Sequence, residues 1–163
     1  MMLATGIRVG ELVALKFEDF EENTVVHVHR TETRYADENG KNHVEVKEYT
    51  KTPAGNRRVV MCDNSNWILD AIKAINPDGE YLFMNEGKRL TTNAIRKRQY
   101  RVCEWAGLPK KKSPHKCRKT FASILLDNGL DQNMIITQMG QTDIATTASF
   151  YHRDQACEKI SVN

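Results

Sequence analysis

No stretch of the 163 residues approaches the roughly 18 consecutive apolar side chains that a membrane-spanning helix requires. The opening Met1-Met2-Leu3-Ala4-Thr5-Gly6 also lacks the charged-then-apolar order of a secretory leader. A soluble protein of the cytoplasm, with no membrane partner, is therefore expected. Cysteine is scarce and scattered: Cys62, Cys103, Cys117 and Cys157 form no C-x-x-C pair, and no paired histidines complete a zinc site. The expectation is reduced thiols and no metal. His27 and His29 share a strand face by period two, but no third ligand accompanies them, and exposed sheet histidines are the simpler assignment. Internal repeats and low-complexity tracts are absent as well. Length, the 40% hydrophobic fraction and the 28% charged fraction fit one folded domain spanning 1–163.

What is present is uneven. Residues 1–50 carry six Lys/Arg against ten Asp/Glu, whereas residues 96–119 carry ten basic side chains against Glu104 alone. The basic segment suits a polyanion, although a solvated charged face would have the same composition. Its members include Arg96, Lys97, Lys111, Lys112 and Lys116.

Periodicity predicts a mainly helical α+β domain with a small three-stranded antiparallel sheet near its N-terminal third. Gly10 to Leu15 has helical spacing but begins too near the start for a full helix to precede it, which reads as a domain excised from a longer chain. Val25–His29, Val44–Val46 and Arg57–Met61 are β-rich and separated by Asp37-Glu38-Asn39-Gly40 and Pro53-Ala54-Gly55-Asn56, giving three strands joined by two hairpins. Trp67, Ile68, Ala71, Ile72 and Ile75 recur at helical spacing before the stop at Asn76-Pro77-Asp78-Gly79. Thr91 or Thr92 caps a basic helix to about Trp105, with Ile95, Val102 and Trp105 inward. Ser113-Pro114 starts the next, with Phe121, Ile124 and Leu125 inward and a stop at Asn128-Gly129. Residues 131–139 and 143–151 read as two further short helices.

His115 and Arg118 stand three apart in the first turn of a helix, on one face beside unpaired N–H groups, where a phosphate binds well. Alone, H-x-x-R is equally an exposed surface pair. Three other segments change its weight: Thr5-Gly6-Ile7-Arg8-Val9-Gly10-Glu11-Leu12, the stretch from Tyr49 through Lys51 to Val60, and Ile144-Ala145-Thr146-Thr147 leading to Tyr151. With Pro114-His115-Lys116-Cys117-Arg118, they resemble, in order and spacing, the motifs of the tyrosine recombinases, or phage integrases.

That resemblance implies a catalytic domain that cleaves and rejoins DNA through a 3′-phosphotyrosine. Arg8 and Arg118 would grip the scissile phosphate, since planar guanidinium donors match its oxygens and offset the growing transition-state charge. Glu11 would support Arg8 from behind. Tyr151 would be the nucleophile, His115 its proton acceptor, and Lys51 the proton donor to the leaving 5′-oxygen, with Lys47 as local competitor. Arg96, Lys97, Lys111, Lys112 and Lys116 would contact the DNA backbone. No cofactor is needed, because the phosphotyrosine conserves the bond energy. Partners would be double-stranded DNA attachment sites and further protomers forming a tetramer, and target readout would rest on an N-terminal core-binding domain outside these residues. The sequence departs from the family at Met139-Gly140-Gln141, where His or Trp is usual in place of Gln141; glutamine can donate a hydrogen bond but carries no charge. His152, next to Tyr151, projects about 100° away on a helix. Two other classes stay open: a type IB topoisomerase, and a helix-turn-helix binder built from residues 120–139.

Overall fold

Two single-turn helices, α1 (Met2–Thr5) and α2 (Val9–Leu12), open the chain on either side of Gly6. A computed structural model describes residues 1–49, 53–62 and 64–141. After α2 come five strands: β1 (Phe20–Glu21), β2 (Val25–Val28), β3 (Thr31–Ala36), β4 (Asn42–Lys47) and β5 (Arg57–Val60). Helix α3 (Trp67–Ile75) and the short ribbon β6 (Met84–Asn85) and β7 (Lys88–Arg89) follow. Three helices complete the described chain: α4 (Thr92–Trp105), α5 (Pro114–Asp127) and α6 (Gln132–Met139).

The domain is α+β, as its sequence predicts, and it has a three-stranded antiparallel sheet, but the strand membership differs. That sheet runs β1-β2-β5, with Val26 opposite Val59 and Val28 opposite Arg57. The Val44–Val46 segment lies instead in β4, which pairs with β3 in a separate hairpin from Thr31↔Lys47 to Ala36↔Asn42. Apolar alternation cannot reveal β3, because Thr-Glu-Thr-Arg-Tyr-Ala has no apolar face; most of it is exposed or half-buried. Its turn is held by Asp37, whose Oδ1 accepts from Asn39 N at 3.0 Å and Lys41 N at 2.9 Å.

The main core joins Ile7, Leu12 and Leu15 of the N-terminal segment to Val26, Val28 and Val59 of the sheet, with Leu69 and Leu82. In α3 it is Leu69 and Ile72 that face this core, whereas Trp67, Ala71 and Ile75, four residues apart, form a separate stripe that is exposed. In α4, capped by Thr91 Oγ1 accepting from Ala94 N, Ile95 packs inward and Cys103 is buried. Val102 and Trp105 are exposed, contrary to expectation, and Arg101 lies over the Trp105 ring. Sequence spacing identifies a stripe but not the point at which a helix leaves the core.

A second cluster comprises Phe121 and Ala122 of α5 with Ile135 and Met139 of α6, and Leu125 packs against it. Ile124, expected inward, is exposed. Helix α1 packs on α5, and Gly6 makes that approach possible. Its φ is +65°, and a Cβ there would stand 2.7 Å from Cε1 of the Phe121 ring. Only hydrogen fits. The expected helix at residues 143–151 lies outside the described residues.

Candidate active site

Glu11 is 2% exposed at the end of α2, and a carboxylate so placed must be neutralised locally. Its Oε2 accepts from the backbone N of Arg8 at 2.7 Å and its Oε1 from Arg8 Nη1 at 2.9 Å. From the far side, Arg57 of β5 donates Nη1 to Oε1 at 3.2 Å and Nη2 to Oε2 at 3.1 Å. Burial pushes the Glu11 carboxyl up, but the bonds and charge of Arg57, followed by those of Arg8, outweigh it and hold the group below its ordinary value. It is therefore ionised.

The C-terminal end of α6 meets the same cluster. Arg8 Nη2 donates to the Gly140 carbonyl at 2.8 Å, and Arg57 Nε donates to that of Gln138 at 2.9 Å. Arg118, only 4% exposed, donates to the Met139 carbonyl and, at 2.6 Å, to the Gly6 carbonyl. Three successive carbonyls at the negative end of one helix thus each receive a different arginine. Gly140 adopts φ +61° where a Cβ would lie 2.7 Å from both the Ala54 carbonyl and Arg57 Nη1, so the turn after α6 sits directly against β5 and its approach.

The cluster holds three guanidinium groups against one carboxylate. Its electrostatic consequence falls on Arg118: burial, with repulsion from Arg8 and Arg57 against the partial relief of Glu11, lowers its pKa to about 9. An anion beside Arg8 and Arg118 relieves that excess, and a tetrahedral phosphate offers oxygens to both. Arg8 keeps 45% of its side chain exposed, which gives the cluster an outlet to solvent.

His115 is exposed one turn before Arg118. Partial burial, then the charges of Lys119, Arg118 and Lys116, hold its imidazole below the ordinary 6.5, so it is neutral near pH 7 and able to accept a proton. Gln141 follows Gly140, half-buried, and its backbone N donates to the Ile136 carbonyl at 3.1 Å. The structure therefore brings Arg8, Glu11 and Arg118 together, with His115 on the same helix as Arg118 and Gln141 next in chain to a carbonyl that Arg8 holds. Lys51, Tyr151 and His152 lie outside the described residues. Lys47, the local competitor of Lys51, is engaged on its own hairpin by Glu45 at 3.4 Å and the Tyr49 ring.

Among the expected backbone contacts, Arg96, Lys97, Lys112 and Lys116 are exposed, and Lys111 pairs with Glu104 at 2.6 Å. His27 and His29 stack at 4.8 Å and bond to Asn56 and Asp19; among the described residues no group of three side chains is arranged to hold a metal. No helix of the described residues is long and apolar enough to cross a membrane.

Arg57 is the site residue that sequence reasoning missed. In Arg57-Arg58-Val59-Val60, period two puts Arg57 on the face of Val59 and Arg58 on that of Val60, and only the structure shows that the Val59 face is the buried one. A core-facing arginine requires an acidic partner, and Glu11 is that partner.

Fold and site together define a class: an α+β domain in which three arginines and a buried glutamate, drawn from separate parts of the chain, close on the end of one helix. A sequence model of the Phage integrase family matches residues 1–157, and the chain belongs to that family. It is 29% identical over 158 residues to tyrosine recombinase XerC of Lactobacillus leichmannii, covering 93% of this chain and 48% of the relative. Tyrosine recombinase XerD of Listeria monocytogenes serotype 4b is 26% identical over 156 residues, with coverages of 93% and 48%. The chain thus spans about half the length of the curated relatives it matches. Among solved structures, XerA recombinase superposes with a TM-score of 0.75 at 27% identity, covering 98% of this chain and 54% of that one. The Tn1549 transposon integrase in complex with transposon right end DNA has the same fold, with a TM-score of 0.76 at 24% identity and coverages of 92% and 51%.

Proposed function

We propose that these residues form the catalytic domain of a site-specific DNA recombinase that cleaves and rejoins double-stranded DNA at the attachment sites of a mobile element. The observation that carries the proposal is the Arg8–Glu11–Arg57–Arg118 cluster closed on the end of α6. Arg8 and Arg118 bind the non-bridging oxygens of the scissile phosphate and offset the charge that grows as phosphorus becomes pentavalent. The Tyr151 hydroxyl attacks phosphorus while its proton passes to the neutral His115 imidazole. The bond to the 5′-oxygen breaks, Lys51 protonates that oxygen, and a 3′-phosphotyrosine remains. Attack by a second 5′-hydroxyl reverses these steps on a new strand, with no net change in bond type and so no demand for ATP or metal. Protomers assemble as a tetramer on paired DNA sites in the cytoplasm.

The test is covalent capture. Nicked duplexes with a randomised core are incubated with the protein, and DNA that stays attached through denaturation is recovered and sequenced. The expected result is a protein–DNA adduct at a defined site with wild type and none with Tyr151→Phe. An adduct that persists in Tyr151→Phe moves the nucleophile to another residue. Supercoil relaxation without exchange between two duplexes would assign the topoisomerase reaction instead.

A further inference from the structure

Arg57 takes no part in the strand-transfer steps above, yet it is 8% exposed and makes more bonds than a core packing role needs. Four of them reach three elements of the fold. Nη1 and Nη2 hold both oxygens of Glu11 on α2, at 3.2 and 3.1 Å. Nη1 also donates to the Gly55 carbonyl at 3.0 Å, at the foot of the segment that carries Lys51, and Nε donates to the Gln138 carbonyl at 2.9 Å, in the last turn of α6.

Resting on the recombinase reading, we propose that Arg57 is a positioning residue for strand cleavage: through Glu11 and the end of α6, it sets the two arginines that grip the scissile phosphate. On one branch, Glu11 fixes Arg8 by its backbone N and its guanidinium. On the other, holding Gln138 fixes the next two carbonyls, Met139 and Gly140, which receive Arg118 and Arg8. Both branches end on Arg8. A guanidinium suits this task and an ammonium does not, because its donors leave from three nitrogens held apart in one rigid plane, whereas the three N–H bonds of an ammonium diverge from a single atom. Arg57 touches no reacting atom in this scheme; its guanidinium is turned to Glu11 and to the carbonyls of Gly55 and Gln138, so it acts on the phosphate through the groups it holds.

Two consequences separate this role from simple structural support. First, the rate of adduct formation at saturating DNA falls while DNA affinity holds. Second, Arg57 and Glu11 act as one unit, so their losses do not multiply. The experiment uses the duplex recovered by covalent capture, with wild type, Arg57→Gln, Arg57→Lys, Glu11→Gln and the Arg57→Gln/Glu11→Gln double variant. Dissociation constants are read by fluorescence anisotropy in the Tyr151→Phe background, and folding is followed by thermal melting. Arg57→Gln and Glu11→Gln are each expected to slow cleavage about 10- to 100-fold, the range seen when a residue that orients a functional group is lost. Dissociation constants are expected to stay within about twofold, and the double variant to be no slower than the worse single one within experimental spread. Arg57→Lys, which keeps charge and stem, is expected to slow cleavage about 10-fold with affinity held; if Arg57→Gln does not fold, Arg57→Lys alone and combined with Glu11→Gln decides by the same criteria.

Multiplicative losses, or a fall in affinity with the saturated rate intact, overturns the proposal. An unchanged rate does the same. Wild type that forms no adduct refutes the recombinase reading itself, whereas a normal wild-type adduct with uncoupled losses refutes the Arg57 role alone.

Discussion

His115 and Arg118 share a helix and have opposite exposure, and their chemistry separates on that account. The exposed imidazole is held below its ordinary 6.5 by partial burial and neighbouring lysine and arginine charge, while the buried guanidinium is brought down to about 9 by burial and by Arg8 and Arg57. In the proposed reaction, cleavage needs His115 neutral and Arg118 charged. As pH falls, His115 gains its proton only below 6.5, and its capacity to accept the tyrosine proton is then lost; as pH rises through about 9, Arg118 loses its charge and its grip. The rate of adduct formation at subsaturating DNA is therefore expected to be flat between these limits, with an acid limb below 6.5 and an alkaline limb near 9. His115→Gln removes the acid limb along with most of the activity. An acid limb that survives in His115→Gln belongs to another group. Replacing Arg118 by lysine leaves one donor direction empty and is expected to slow cleavage by on the order of 100- to 1,000-fold, as for loss of a single preorganised transition-state donor. Gln141→His installs one of the two residues, His or Trp, that the resemblance leads one to expect at that position, and it is expected to speed cleavage at neutral pH.

At the scale of elements, the site depends on three backbone segments meeting where side chains would obstruct them. Gly6 is the most demanding point, since its left-handed φ and the Phe121 ring both exclude a Cβ. Gly6→Ala forces α1 away from α5 and draws the Gly6 carbonyl off Arg118, so stability and cleavage fall together. A loss of about 2–4 kcal/mol is expected from combined backbone strain and overpacking. At this chain length that lowers the melting temperature by roughly 5–15 °C, readable by circular dichroism; a melting temperature within one or two degrees of wild type would show that the contact relaxes cheaply. The same elements show how far the sequence could be read. Helices α4, α5 and α6 were legible to within a residue or two because Thr91, Ser113-Pro114, Asp131 and Asn128-Gly129 are local chemical signals. Strand partnership was not: β2 joins β5 across a whole hairpin, and β3 has too little apolar surface to show its period. Arg8, Glu11 and Arg118 were legible as motif residues, but Arg57 needed the sheet, because only pairing with β2 shows which face of β5 is buried.

Over the whole molecule, the acidic first third and the basic 96–119 segment make the net charge of +3 a poor guide to DNA binding. Much of the acidity is already spent inside the fold. Asp19 binds Arg30 and His29, Glu32 binds Arg89 and the backbone N of Thr92 at the start of α4, and Glu11 binds the site arginines, so these carboxylates present little field to an approaching polyanion. The basic helix α4 spends less, since Arg96 and Lys97 are exposed on it while Lys111 is taken up by Glu104. Affinity for duplex DNA is accordingly expected to fall steeply with salt, because each phosphate contact releases condensed counterions. Arg96→Gln with Lys97→Gln should flatten the plot of log K against log salt by about 1.8, near 0.9 for each lost contact, and weaken binding equally on cognate and unrelated duplexes. Lys111→Gln should change the slope by distinctly less, since its ammonium must first leave Glu104. Anisotropy titrations across a salt series separate these cases. Equal slopes for Lys111→Gln and for one of the α4 substitutions alone would mean that the Glu104 pair opens freely on DNA, and that the binding face extends past α4 to the loop before α5.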